Sequence, residues 1–220
     1  MKRKKKNETF EERLERVRSL IKILSKEYPD TTTALHYDNP FHLLVAVILS
    51  AQCTDARVNL VTPKLFDRFS TPRDFAAADV KELESLIHST GFYHNKSKNI
   101  IACANAVLER HNGEVPQTME ELHALPGVGR KTANVVLGDA FGKIEGVVVD
   151  THVTRLSNRL GLTDEHDAVK IEKDLMTLIP KKYWFKFSHA LILHGRKICS
   201  ARKPLCQECS LSAFCPSSLV

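Results

Sequence analysis

The sequence predicts an all-α protein. Apolar residues recur at helical spacing along most of the chain, and capping and stop signals separate the periodic segments. The single β-like run, residues 146–149, is too isolated to build a sheet.

The elements follow in order. Phe10, Leu14, Val17, Leu20, Ile21 and Leu24 form one apolar stripe with Glu, Lys and Arg between them. Asn39-Pro40 is an N-cap followed by proline at the first helical position, opening an apolar helix over 41–49. Thr71-Pro72 repeats the device. Asp79 is placed to cap a helix that ends near Gly91. Residues 93–109 form an amphipathic helix stopped by Asn112-Gly113. Thr118-x-x-Glu121 has the form of a capping box. Asp150 or Thr151 caps a helix ending at Gly161, and later helices fit 164–178 and 182–198.

With 220 residues the chain can bury a full core in one domain or two small ones. No apolar run reaches transmembrane length, and the basic start lacks the apolar core of a signal peptide, so a cytoplasmic, nucleoid-associated location is expected. The formal net charge is +6, and Lys2, Arg3, Lys4, Lys5 and Lys6 supply five of the positive charges. The body is therefore only mildly basic. The tail is expected to be disordered in the free protein and to add modestly to affinity for phosphates.

Four of the six cysteines crowd the end of the chain as Cys199-x6-Cys206-x2-Cys209-x5-Cys215. Such clustering points to a ligand set for one soft metal centre rather than to a disulfide framework. Spacing alone leaves the centre open between an iron–sulfur cluster and a zinc ion. Zinc sites usually pair two short Cys-x2-4-Cys elements, and here Cys206 and Cys209 form just one. Ferredoxin clusters use shorter gaps than these.

A second stretch carries chemistry. In Leu122 to Ala133 a short helix runs into Pro126-Gly127-Val128-Gly129, and another helix then begins. Two glycines let the backbone turn tightly and approach a partner, and a helix start offers N–H groups and a positive dipole end to a phosphate. Lys131 falls in the first turn of the new helix. It is a solvated charge, a phosphate contact or an amine nucleophile; the helix terminus and Arg130 both push toward the deprotonated amine. Asp150 closes the apolar run 146–149 and reads equally as an N-cap or as a carboxylate beside a centre that develops positive charge. His152, with no third ligand in register, reads as a packed, hydrogen-bonded histidine.

Leu-Pro-Gly-Val-Gly-Arg-Lys-Thr-Ala, then Val-Asp-Thr-His-Val, then the four-cysteine loop, in that order, resemble the endonuclease III family of helix–hairpin–helix DNA glycosylases. Residues 50–55, 111–116 and 193–196 match as well, so the likeness runs from about Leu14 to Cys215. The resemblance implies a six-helix barrel over 33–144 and a second helical domain of 1–32 with 145–220, carrying a [4Fe–4S] cluster on Cys199, Cys206, Cys209 and Cys215. Double-stranded DNA with damaged pyrimidines or abasic sites would lie across both domains, with the catalytic cleft between them, and the protein would act as a monomer.

It also implies roles. Lys131 would displace the base from C1′ of a flipped nucleotide, and Asp150 would assist. A Schiff base and β-elimination would then cut the strand. Gln52 would fill the vacated space, and Phe92 would wedge the opposite side. Gly127, Val128, Gly129 and Arg130 would hold a phosphate, with a monovalent cation on the hairpin carbonyls. Arg202 and Lys203 would meet the DNA backbone. Phe92 and His94 depart from the leucine and asparagine common in the family, which bears on wedge geometry and opposite-base preference. The rivals are a mismatch-specific glycosylase, for which Lys131 is out of place, and a non-enzymatic DNA-binding redox sensor.

Overall fold

The structure is a computed structural model that describes residues 8–220; the basic tail lies outside the described residues. Among the described residues there is no strand, and no helix is long and apolar enough to cross a membrane. The chain forms two compact units, Thr33–Glu145, and the segment up to Thr32 together with Gly146–Val220.

In the Thr33–Glu145 unit, α2 (Pro40–Leu49) is the centre. Phe41 through Leu49 are all buried, as expected of a helix that is apolar on every side. Asn39 caps it by accepting from the His42 N–H. Around it come α3 (Asp55–Arg68), α4 (Pro72–Ala76), α5 (Val80–Ile87), α6 (Tyr93–His111), α7 (Met119–His123) and α8 (Arg130–Phe141). Helix α2 packs on α8, and α4 on α6. Phe75, Leu83, Ile87, Ile100, Leu122 and Leu137 complete the core.

The sequence reading had passed over α3, where Pro63 sits in mid-helix. The helix survives because Val58, Val61, Thr62, Leu65 and Phe66 keep the i, i+3, i+4, i+7 spacing of a buried stripe, while Pro63 lies on the exposed face. Burial of that stripe outweighs the hydrogen bond that proline removes.

The other unit contains α1 (Phe10–Glu27), α9 (Thr151–Arg159), α10 (Ala168–Leu178) and α11 (Trp184–Lys197). Its core joins Val17, Leu20 and Leu24 of α1 to Val153 and Leu156 of α9, Ile171 and Leu175 of α10, and Leu191 of α11. Asp150 is the residue that caps α9. Helix α10 begins later than expected because Asp167 accepts from the Val169 and Lys170 N–H groups and sets its start. The expected box at Thr118 is half formed: its hydroxyl accepts from the Glu121 N–H, but the Glu121 carboxylate takes that same hydroxyl instead of the cap's backbone N–H.

Candidate functional site

The hairpin joins α7 to α8. Gly127 has φ +75°, and a Cβ there would stand 2.8 Å from Cβ of Asn99 on α6, so both conformation and packing demand glycine. Gly129 differs. Its φ of −84° is ordinary, and a Cβ built on it meets nothing within 4 Å. The folded chain therefore gives no reason for glycine at 129; the open space beside it is where a partner's backbone can come close. Gly129 is the N-cap of α8, and no side chain caps that terminus. Val128 turns its side chain inward, and its N–H donates to the Leu125 carbonyl at 3.1 Å. The Val128 amide is thus engaged within the turn, whereas no side chain meets the amides that open α8. Arg130 and Lys131 open α8, with Lys131 exposed.

Gln52 and Phe92 sit on separate turns of the same unit. Gln52 follows α2 with φ +54°; Phe92 precedes α6 with φ +50° and is 62% exposed. Both are left-handed without being glycine, a costly conformation that clusters at functional sites. His94 pairs through Nδ1 with Glu84 Oε1 at 2.8 Å.

Asp150 belongs to the other unit. Its Oδ1 accepts from the His152 and Val153 N–H groups, both at 2.8 Å, while Oδ2 takes no part in that cap. The carboxylate is thereby fixed in orientation with one oxygen outside the cap. His152 is a packed histidine: Nδ1 lies 3.1 Å from Nη2 of Arg155, and burial pushes its pKa below the usual value against the opposing pull of Asp150. Gly195 of α11 meets it closely, since a Cβ there would lie 2.9 Å from His152 Nδ1. That approach accounts for the glycine in Leu193-His194-Gly195-Arg196.

The four cysteines Cys199, Cys206, Cys209 and Cys215 line one cavity of about 250 Å³. That is many times the roughly 10–15 Å³ that one water needs on the same measure. Four thiols around a larger space fit a cluster of several atoms. Burial pushes the Cys209 and Cys215 thiols above their usual pKa, and the other cysteines of the set push the same way. A cationic metal centre reverses that penalty by drawing the protons off.

The sequence reading missed what supports this loop. Arg159 of α9 donates from Nη1 to Cys199 Sγ at 3.1 Å and to the Ser200 carbonyl at 2.8 Å, and from Nη2 to the Ala201 carbonyl at 2.7 Å. Arg155 donates to the Cys199 carbonyl from Nε and Nη2. Buried His194 places Nε2 3.3 Å from Cys209 Sγ and Nδ1 3.1 Å from the Tyr28 hydroxyl. The two arginines lie one helical turn apart, a spacing visible in the sequence that had no partner to give it meaning. Arg202 and Lys203 are exposed on the loop.

Residues 45–181 match the model of the HhH-GPD superfamily of base excision DNA repair proteins, and residues 199–215 match that of the iron–sulfur binding domain of endonuclease III. The chain is 57% identical to endonuclease III of Synechocystis sp. over 93% of each chain. It is 48% identical to that of Bacillus subtilis over 86% of each, and 43% identical to that of Escherichia coli K12 over 87% of this chain and 90% of that one. Among solved structures it resembles a trapped endonuclease III–DNA covalent intermediate, with TM-score 0.88 and 45% identity over 93% of this chain and 96% of that chain. A thermostable thymine-DNA glycosylase shares the fold at TM-score 0.83 and 23% identity.

Proposed function

From the membership of this chain in the endonuclease III family, within the HhH-GPD superfamily of base excision DNA repair proteins, we propose the residues that carry its reaction. The protein is a DNA glycosylase and AP lyase that acts on double-stranded DNA with damaged pyrimidines or abasic sites, and it carries a [4Fe–4S] cluster. The site assignments below are our reading, as are its action as a monomer and its location at the nucleoid in the cytoplasm.

Lys131 is the nucleophile. The observation that carries this is its place in the first turn of α8, directly after a helix start that is uncapped and open at Gly129. A phosphate seated on those amides would hold the strand beside the amine. The nucleotide must leave the stack before C1′ can be attacked, and a damaged base that stacks poorly costs less to remove. Gln52 fills the vacated space and Phe92 wedges the helix.

The Lys131 amine then bonds to C1′ as the glycosidic bond breaks and the base departs with its electron pair. Asp150 assists removal of the amine proton and stabilises positive charge on the sugar through its oriented carboxylate. Ring opening gives the Schiff base. Loss of the C2′ proton and departure of the 3′ phosphate oxygen cut the strand, and water releases the enzyme.

Cys199, Cys206, Cys209 and Cys215 would hold the cluster, which would serve to order the loop bearing Arg202 and Lys203. A monovalent cation, if the hairpin takes one, would sit on its carbonyls. The thymine-DNA glycosylase likeness is one of fold alone and transfers no substrate.

The test is single-turnover release of free base and nicking of a thymine glycol duplex in EDTA. Asp150→Asn keeps the fold and duplex affinity but slows base release by about 100-fold or more. Lys131→Ala abolishes nicking. An unchanged rate in Asp150→Asn would leave Asp150 as a cap alone, and retained nicking in Lys131→Ala would remove Lys131 from the mechanism.

A further inference from the structure

Lys96 of α6 is only 4% exposed. Its Nζ donates to the Leu49 carbonyl at 2.8 Å and to the Thr90 carbonyl at 2.8 Å. Among the described residues no carboxylate pairs with it. A buried ammonium is costly unless its donors are satisfied, and a long apolar side chain would fill the same space without that cost. The reason for a lysine here must therefore lie in what its two hydrogen bonds hold.

The two acceptors are far apart in sequence and have one thing in common. Leu49 is the last residue of α2, and Gln52 with φ +54° stands three positions on. Thr90 ends the 3₁₀ turn His88–Thr90, and Phe92 with φ +50° stands two positions on. A left-handed non-glycine residue is costly and persists only where its surroundings over-determine it. The third such residue, Asn112, is a helix C-cap, where the conformation is usual. The two unusual ones, both exposed, thus leave from two carbonyls joined by one side chain. Leu49 also closes α2, so its carbonyl is at the negative end of the helix dipole, where a cation is favoured. The Thr90 hydroxyl donates to the Ile87 carbonyl at 2.8 Å and stiffens the second turn.

We propose that Lys96 is a positioning residue for base flipping: it clasps the turns of Gln52 and Phe92 so that both residues reach the duplex at a fixed separation. This rests on the reading that Gln52 and Phe92 enter the DNA. A clasp of this kind sets the span between the residue that fills the gap and the residue that wedges beside it. It acts on unstacking and leaves the attack of Lys131 on C1′ untouched.

The experiment uses cluster-loaded, full-length protein and a duplex with one thymine glycol opposite 2-aminopurine. Base release is measured in single turnover, and 2-aminopurine fluorescence reports unstacking. Lys96→Met removes both donors at similar length. It is expected to slow unstacking and base release together by about tenfold to 100-fold, the cost of an ångström-scale misplacement. On a duplex with a preformed abasic site, which has no base to unstack, the loss falls to less than about threefold. Lys96→Arg keeps donors for both carbonyls and restores much of the rate, whereas a purely space-filling role would make arginine the worse substitute. Should Lys96→Met not reach wild-type helicity, Lys96→Leu, which also removes the donors, supplies the same comparison.

Gln52→Ala and Phe92→Ala are run beside these. Unchanged base release in Lys96→Met, with both alanine variants slowed, overturns the clasp and spares the reading of Gln52 and Phe92. Unchanged rates in all three overturn both.

Discussion

The hairpin and the cysteine loop are both short stretches of irregular backbone, yet they are held in opposite ways. Around the hairpin, Leu125 and Val128 are buried, Gly127 fits against Asn99, and a Val128–Leu125 hydrogen bond closes the turn. Its shape comes from packing within its own unit. In the cysteine loop from Cys199 to Cys215, Leu211 alone is fully buried, and two 3₁₀ turns, Cys206–Glu208 and Ser212–Phe214, are its regular structure. There the backbone hangs on the carbonyl contacts of Arg155 and Arg159 and on whatever the four thiols enclose. The difference teaches that one stretch is shaped by apolar burial and glycine, while the other is held by arginine contacts to its carbonyls and by the centre its thiols enclose.

That contrast breaks most severely at the cluster. Cys206→Ser should lose the brown cluster absorbance and destabilise the cysteine-bearing unit by about 4 kcal/mol or more, as removal of a structural metal does. Hydrogen exchange should show residues 199–215 losing protection while the hairpin keeps its own. Equal loss in both regions would mean that the hairpin is not self-supporting.

Next comes the hairpin's internal dependence. Gly127→Ala places a Cβ 2.8 Å from Asn99 at φ +75° and should lower the stability of the Thr33–Glu145 unit by about 1–3 kcal/mol, read by urea unfolding. The cluster spectrum should not move.

The smallest effect on the fold is the most informative. Serine is a favoured N-cap and suits the extended backbone of Gly129, so Gly129→Ser should change stability by no more than about 0.5 kcal/mol. Its side chain nonetheless occupies the open approach, and duplex affinity should fall about tenfold, or 1.4 kcal/mol. Undiminished affinity would show that nothing comes close at Gly129.

Much of this was legible in the sequence. Asn39-Pro40 announced α2, Asn112-Gly113 the end of α6, and the glycine pair with Lys131 marked the hairpin, because local signals act through the nearest backbone. What stayed hidden depends on distant partners. Lys96 meets a carbonyl 47 residues away, and Arg155 one 44 residues away, so neither reads as more than a surface charge. Gln52 and Phe92 were found by resemblance; their left-handed backbone has no local signal, since neither is glycine or asparagine. Helix α3 has no proline or glycine at its ends to mark it, and its apolar stripe is interrupted by charged and polar residues and Pro63. The cysteines were plain at once, but their spacing alone left zinc open; the likeness to the iron–sulfur binding domain of endonuclease III decides for a cluster.

The central claim is that Lys131 forms the covalent intermediate. Borohydride trapping on a thymine glycol duplex, followed by peptide mapping of the adduct, tests it most directly. A reduced protein–DNA adduct carried on Lys131, absent in Lys131→Ala while that variant still binds the duplex, is the predicted result. An adduct mapped to another amine, or one that persists in Lys131→Ala, would contradict the account.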